Sequence, residues 1–292
     1  MPVQKLPGLA AVDRGSLLDG QARLTRALHW LSIAEDRGER PGERLSHAWV
    51  ALEHLVTDGG ESKLPVVLDS VPGAIALCHL RATFGAVFRE ALAALHILAC
   101  EHSNKHDVAS QIDTWLGPDA NQWYLSRPAV VGRYERERRI DDAEGLKTLI
   151  SRKKQIPDLA QLLEQSAPYA SYRLQLVNNI LSSVEKLRDT LRQFRVDAAC
   201  LLSQVYDVRN QLVHDANPFG FDDAYRLHVL YDRYRALIDP VVGEVLRLVV
   251  TQAGLPLSHA WSLMNARFDE LVAPRSTTGA AIDENRLIEC LI

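Results

Sequence analysis

Apolar residues recur at intervals of three and four along nearly the whole chain, and no stretch alternates apolar with polar under β-branched enrichment. A period near 3.6 lines up one face of a helix, whereas a half-buried strand requires a period of two. The chain is therefore expected to be all-α. The spacing predicts helices over 17–36, 43–57, 65–101, 105–116, 119–139, 141–153, 156–165, 168–193, 195–214, 222–253 and 257–272. Breaks fall at Arg40-Pro41-Gly42, Asp58-Gly59-Gly60, Gly117-Pro118 and Asn217-Pro218-Phe219-Gly220, where turn chemistry ends a helix.

A single all-α domain over 1–292 is expected, since 47% hydrophobic against 24% charged residues is a globular balance. Two long-helix regions, 15–102 and 166–255, form its core. Residues 103–165 are richer in charge, consist of shorter helical pieces, and read as an insertion. Beyond 256 a last helix leads into a Pro-, Ser-, Thr- and Gly-rich stretch, Ala273 to Ala281, read as a mobile connection. It ends in a short apolar segment, Leu287 to Ile292, that could dock on a neighbour. The five residues Leu-Ser-His-Ala-Trp occur at both 45–49 and 257–261, read as coincidence at two helix starts and not as a repeat.

The most apolar stretch, Ala74 to Cys100, is interrupted by Arg81, Arg89 and Glu90, and reads as a core helix; no membrane partner is expected. Asp13 and Arg14 stand where a secretion signal would be apolar, which suggests the cytoplasm. Cys78, Cys100, Cys200 and Cys290 are too scattered for a zinc ribbon or a disulfide framework. A net charge of −4 argues against indiscriminate coating of nucleic acid, so any RNA contact must be a local patch.

One segment concentrates chemistry. At about 100° per residue, Leu201, Val205, Val208 and Leu212 share one narrow stripe that suits a core. Tyr206, Asn210 and His214 make a second, nearly opposite stripe facing water or a partner subunit. Arg209 falls between them, leaning inward, where burial would require a carboxylate partner. Asn210 is placed to hydrogen-bond His214 and fix its tautomer. Because Arg209 and His214 of one chain diverge, a composite site across a two-fold axis is the favoured geometry.

The segment Tyr206-Asp207-Val208-Arg209-Asn210-Gln211-Leu212-Val213-His214 resembles the Tyr-x-x-Arg-Asn-x-hydrophobic-Val-His signature of HEPN domains, particularly the Apea-like branch. Upstream, Trp49-Val50-Ala51-Leu52-Glu53 resembles the early Trp-x-x-x-Glu helix of that branch. The resemblance spans the two long-helix regions and leaves 103–165 and the tail unexplained. It implies a HEPN-type helical bundle: a cofactor-free, metal-independent endoribonuclease acting on RNA as a homodimer, with a role as toxin or anti-phage defence effector. It also implies a possible antitoxin or sensor protein as partner. Arg209 and His214 would be catalytic with Asn210 beside them, and Glu53 would orient Arg209. The alternative is a non-catalytic helical module that dimerises or binds a partner in a defence or toxin–antitoxin system.

Other residues carry blander readings beside the functional ones. Tyr206 suits packing or an interface better than proton donation, because a phenol near pKa 10 is poorly placed at neutral pH. Arg188, Arg192 and Arg195 share a helical face and are candidate RNA contacts, or else a solvated face offset by Glu185 and Asp189. Arg133, Arg136, Arg138 and Arg139, with Arg152, Lys153 and Lys154, form the most basic part of the chain but alternate with acids. The run His96, Cys100, His102 and His106 has metal-like spacing; Ser103-Asn104 is read as a helix end inside it, so a polar terminus is preferred and no metal is expected. No P-loop, Gly-x-Gly-x-x-Gly, His-Glu-x-x-His or Gly-x-Ser-x-Gly pattern occurs.

Overall fold

In the computed structural model the described residues are 14–36, 40–56, 63–101, 142–214, 221–251, 255–273 and 283–291. They contain helices and no strand, so the molecule is all-α as the spacing requires. The helices are α1 (Arg14–Ala34), α2 (Pro41–Val56), α3 (Lys63–Glu101), α4 (Asp142–Ser151), α5 (Ile156–Leu163), α6 (Pro168–Leu181), α7 (Val184–His214), α8 (Phe221–Thr251), α9 (Leu257–Val272) and α10 (Glu284–Leu291), with a 3-10 turn over Lys153–Gln155. The expected helices over 105–116 and 119–139, the arginines at 133–139, and His102 and His106 lie outside the described residues.

One helix break differs from the expected position. Periodicity alone carried the helix through Ser182-Ser183 and stopped it near Phe194, whereas α6 ends at Leu181 and α7 begins at Val184. The reason is local. The Ser182 hydroxyl donates to the Asn179 carbonyl at 2.8 Å, and Ser183 Oγ accepts the Lys186 amide at 3.2 Å. Serine hydroxyls compete for backbone groups and so favour helix ends over interiors. At α2 the opposite end chemistry appears. Pro41 occupies the first helical position, and Glu43 accepts the Arg40 amide at 3.2 Å, one half of a capping arrangement.

The chain forms two compact units, Met1–His79 with Arg192–Glu270, and Leu80–Leu191 with Leu271–Ile292. The boundaries differ from a single domain with an insertion at 103–165, because the divisions run inside α3 and α7. Residues 80–101 and 168–191 belong with α4 and α5, and α9 belongs to the first unit as far as Glu270. A helix apolar on several faces, as α3 is, can supply two cores in succession; the 3.6 period reports that a face is buried but not against what.

The core of the first unit gathers Leu45, Trp49, Leu52 and Leu55 of α2, Ile75 of α3, Leu202 and Val205 of α7, Tyr231 and Tyr234 of α8, and Trp261 of α9. Both copies of Leu-Ser-His-Ala-Trp serve it in the same way. Leu, Ala and Trp, at positions i, i+3 and i+4, are buried in each copy. Each indole finds an acceptor: Trp49 donates to Glu53 Oε1 and Trp261 to the Leu55 carbonyl, both at 2.8 Å. The resemblance between the two pentapeptides is thus a shared packing solution. Tyr231 donates to the Ala34 carbonyl at 2.8 Å, and Arg44 donates to the same carbonyl at 2.9 Å while lying 4.1 Å over the Tyr231 ring. The otherwise orphaned end of α1 is thereby tied to α2 and α8.

In the second unit α5 packs on α6, where the buried Ser171 donates to the Ala160 carbonyl at 2.6 Å. The C-terminal segment is helical. As α10 it docks on α4 of the same chain, burying Leu287, Cys290 and Leu291, with Lys153 and Glu284 paired at 3.2 Å. The window Leu64–Leu95 of α3 is long and apolar enough to cross a membrane by length and composition, yet 72% of it is buried inside the molecule, as a core helix would be.

Candidate functional site

α7 places the Tyr206–His214 segment at its C-terminal end. The stripe expected to be core behaves as one: Leu201 and Val205 are buried, Val208 packs against the core, and Leu212 is half-buried. Ala198 and Leu202 are buried as well, and this widens the core arc toward Tyr206. The consequence is a correction. Tyr206 does not face away from the core; its ring lies 5.4 Å from Trp49, tilted. The solvent arc of the helix runs instead through Gln204, Asp207 and Gln211.

Arg209 is half-buried. Its Nη1 donates to Asn210 Oδ1 at 3.0 Å, and its Nε, shielded from water, has no hydrogen-bond partner among the described residues. The expected carboxylate partner is thus represented by a neighbouring amide, which holds the guanidinium without neutralising it. His214 is the last residue of α7, five residues on, and its side chain lies outside the described part of the structure.

Glu53 sits one turn after Trp49 on α2 and is 4% exposed. Its Oε1 accepts the Trp49 indole N–H, and Tyr206 of α7 packs on that same ring. Tyr234 lies against the other flank of this group, 6.5 Å from Trp49, with its hydroxyl donating to the Ala48 carbonyl at 3.2 Å. Burial pushes the Tyr234 phenol well above its usual range; Arg235 opposes and the Glu53 charge adds to the rise. That phenol therefore stays protonated and structural. Trp49 and Tyr234 were not singled out as site residues in the sequence; the Trp-x-x-x-Glu spacing, one helical turn, is the signal that finds Trp49.

A second seat comes from Gly42. A Cβ built there would stand 2.9 and 3.1 Å from the two methyls of Leu212, so the first turn of α2 meets α7 between Arg209 and His214 only because a side chain is missing. Gly42→Ala should cost about 1–3 kcal/mol through overpacking. Adding Leu212→Ala should recover part of it. Denaturant midpoints of the single and double variants check this, and an unchanged midpoint in Gly42→Ala would remove the seat.

The arginine row is split by burial. Arg188 is 8% exposed and its Nε donates to the Leu271 carbonyl at 3.3 Å, so it is unavailable as a simple surface contact. Arg192 and Arg195 are exposed, the latter 5.4 Å over Phe268. Among the described residues no group of three His, Cys, Asp or Glu side chains could hold a metal ion; the side chains of His96 and Cys100 lie outside them.

No family model matches the chain, and no curated protein or solved structure is significantly similar to it.

Proposed function

We propose that this protein is a metal-independent endoribonuclease of the HEPN type, with Arg209 and His214 as catalytic pair. The observation that carries the reading is Arg209: a guanidinium anchored by Asn210, half-buried, with an Nε donor unpaired among the described residues, in the same helical end as His214. A positive group held this way can stabilise charge developing on phosphoryl oxygens, an effect commonly worth a few kcal/mol. An imidazole with pKa near neutrality can move the protons. In the reaction the RNA 2′-oxygen attacks the adjacent phosphorus and gives up its proton, the bond from phosphorus to the 5′-oxygen breaks, and that oxygen gains a proton. The products are a 2′,3′-cyclic phosphate and a 5′-hydroxyl end, with water uninvolved in the cleavage. Action in the cytoplasm as a toxin or anti-phage effector belongs to the same proposal.

The working form is a homodimer in which the helical ends of two copies complete each other's site. Tyr206 is already packed within its own protomer, so the self-complementary face is centred on Asn210 with the exposed Val213 and Tyr225. These apolar side chains flanking residues 215–220 also favour a second reading, a non-catalytic module that docks a copy of itself or an antitoxin or sensor protein. One experiment separates the two. Incubation with RNA in excess chelator should yield cyclic-phosphate ends from a protein that sediments as a dimer. A dimer that leaves RNA intact supports the module, and products bearing only 5′-phosphates exclude the proposed chemistry.

A further inference from the structure

We infer that the exposed face of α6 is a stacking platform for single-stranded RNA, an inference that rests on the ribonuclease reading and extends it to how substrate is held. Tyr169, Tyr172, Leu176 and Asn179 follow one another at spacings of three, four and three, which places them on one stripe of the helix. The first three are 63%, 55% and 42% exposed, a large apolar and aromatic area for a helix whose opposite side is packed on α5. Aromatic rings on successive turns stand about 5–6 Å apart at Cβ, so each can take one base of an extended strand.

The chemistry around the stripe selects the occupant. Arg173 lies 5.7 Å over the Tyr169 ring and donates from Nη1 to its hydroxyl at 3.0 Å, which fixes the ring; its charge is partly offset by Glu90 at 3.7 Å. At the far end Lys186 donates from Nζ to Asn179 Oδ1 at 2.6 Å. An amide orders that ammonium and leaves its charge uncompensated. α6 itself contains no Asp or Glu. Two presented rings, an ordered cation and no carboxylate on the helix make a surface complementary to bases joined by phosphates. Bases stack on aromatic side chains with little sequence preference because every base has a π-face, and paired bases in a duplex present none.

The test uses a fluorescein-labelled 2′-O-methyl oligouridylate of about ten nucleotides, a length within the range one single-strand binding fold occupies. It lacks the nucleophile, so binding is read apart from cleavage. Tyr169→Ala with Tyr172→Ala should raise its Kd by about 30-fold or more, while the Tyr→Phe pair stays near wild type. Lys186→Gln should lower the salt dependence of binding by roughly 0.7 in the log–log slope. Each variant is checked by melting and sedimentation. The inference is overturned if the alanine pair binds normally, if a duplex of the same length binds as tightly, or if the alanine pair loses dimerisation along with binding. Oligouridylate binding that depends on the stripe in a protein that cleaves no RNA sustains this inference and defeats the ribonuclease reading. Cleavage without stripe-dependent binding does the reverse.

Discussion

His214→Ala and Arg209→Ala are each expected to lower RNA cleavage by about 100-fold or more, in keeping with ~10²–10⁴ for a positioned acid or base. The double variant should be hardly worse than either single one, because groups that act in one transition state are strongly non-additive. The two single variants differ in what else they change. His214 closes α7, and its removal should leave the dimer and its melting unaffected. Arg209 is half-buried and engages Asn210, so Arg209→Ala withdraws packing and leaves an amide oxygen without its donor, a cost of about 1 kcal/mol. Its rate must be compared at temperatures well below its melting transition. Asn210→Ala should act between wild type and these variants, since it frees the guanidinium from its anchor but leaves it present. Glu53→Gln should weaken cleavage least, because the amide oxygen can still accept the Trp49 indole. If both single variants are folded, dimeric and fully active, the catalytic assignment fails and the docking module takes its place.

Much of this arrangement was legible in the residues, and the parts that were not share a cause. Periodicity placed α2, α8 and α9 and the Leu201–Leu212 core stripe, because a face buried along a helix imposes its 3.6 period on the sequence. It placed Tyr206 wrongly, since four positions defined too narrow a core arc and omitted Ala198 and Leu202. It also missed the Ser182-Ser183 break, where side-chain capping outweighs helical pattern. The division inside α3 and α7 was illegible for a deeper reason: an apolar face records burial without naming the partner element. Glu53 was found through its spacing from Trp49, but the spacing also contained its first partner. An indole one turn before a carboxylate can reach it directly.

Trp49→Ala should be among the most destabilising single changes in the first unit, by about 3–5 kcal/mol, the range for removing a large aromatic from a core that cannot fully collapse. Trp49 is completely buried and carries three separate contacts, with Tyr206, with Tyr234 and with Glu53. Trp49→Phe divides this effect. It keeps most of the ring that supports Tyr206 but withdraws the N–H from a buried carboxylate, and a lost partner there costs about 1–3 kcal/mol. Combining Trp49→Phe with Glu53→Leu should then recover stability relative to Trp49→Phe alone, because the carboxylate that needed the donor is gone and an apolar group of similar reach replaces it. Cleavage should not recover with it, since the acid proposed to support Arg209 is absent. Denaturant unfolding of the four proteins, read by aromatic circular dichroism, measures the coupling. If the double variant is no more stable than Trp49→Phe, or if Trp49→Ala falls within about 1 kcal/mol of wild type, the indole–carboxylate pair is not the strut that holds α2 against the candidate site.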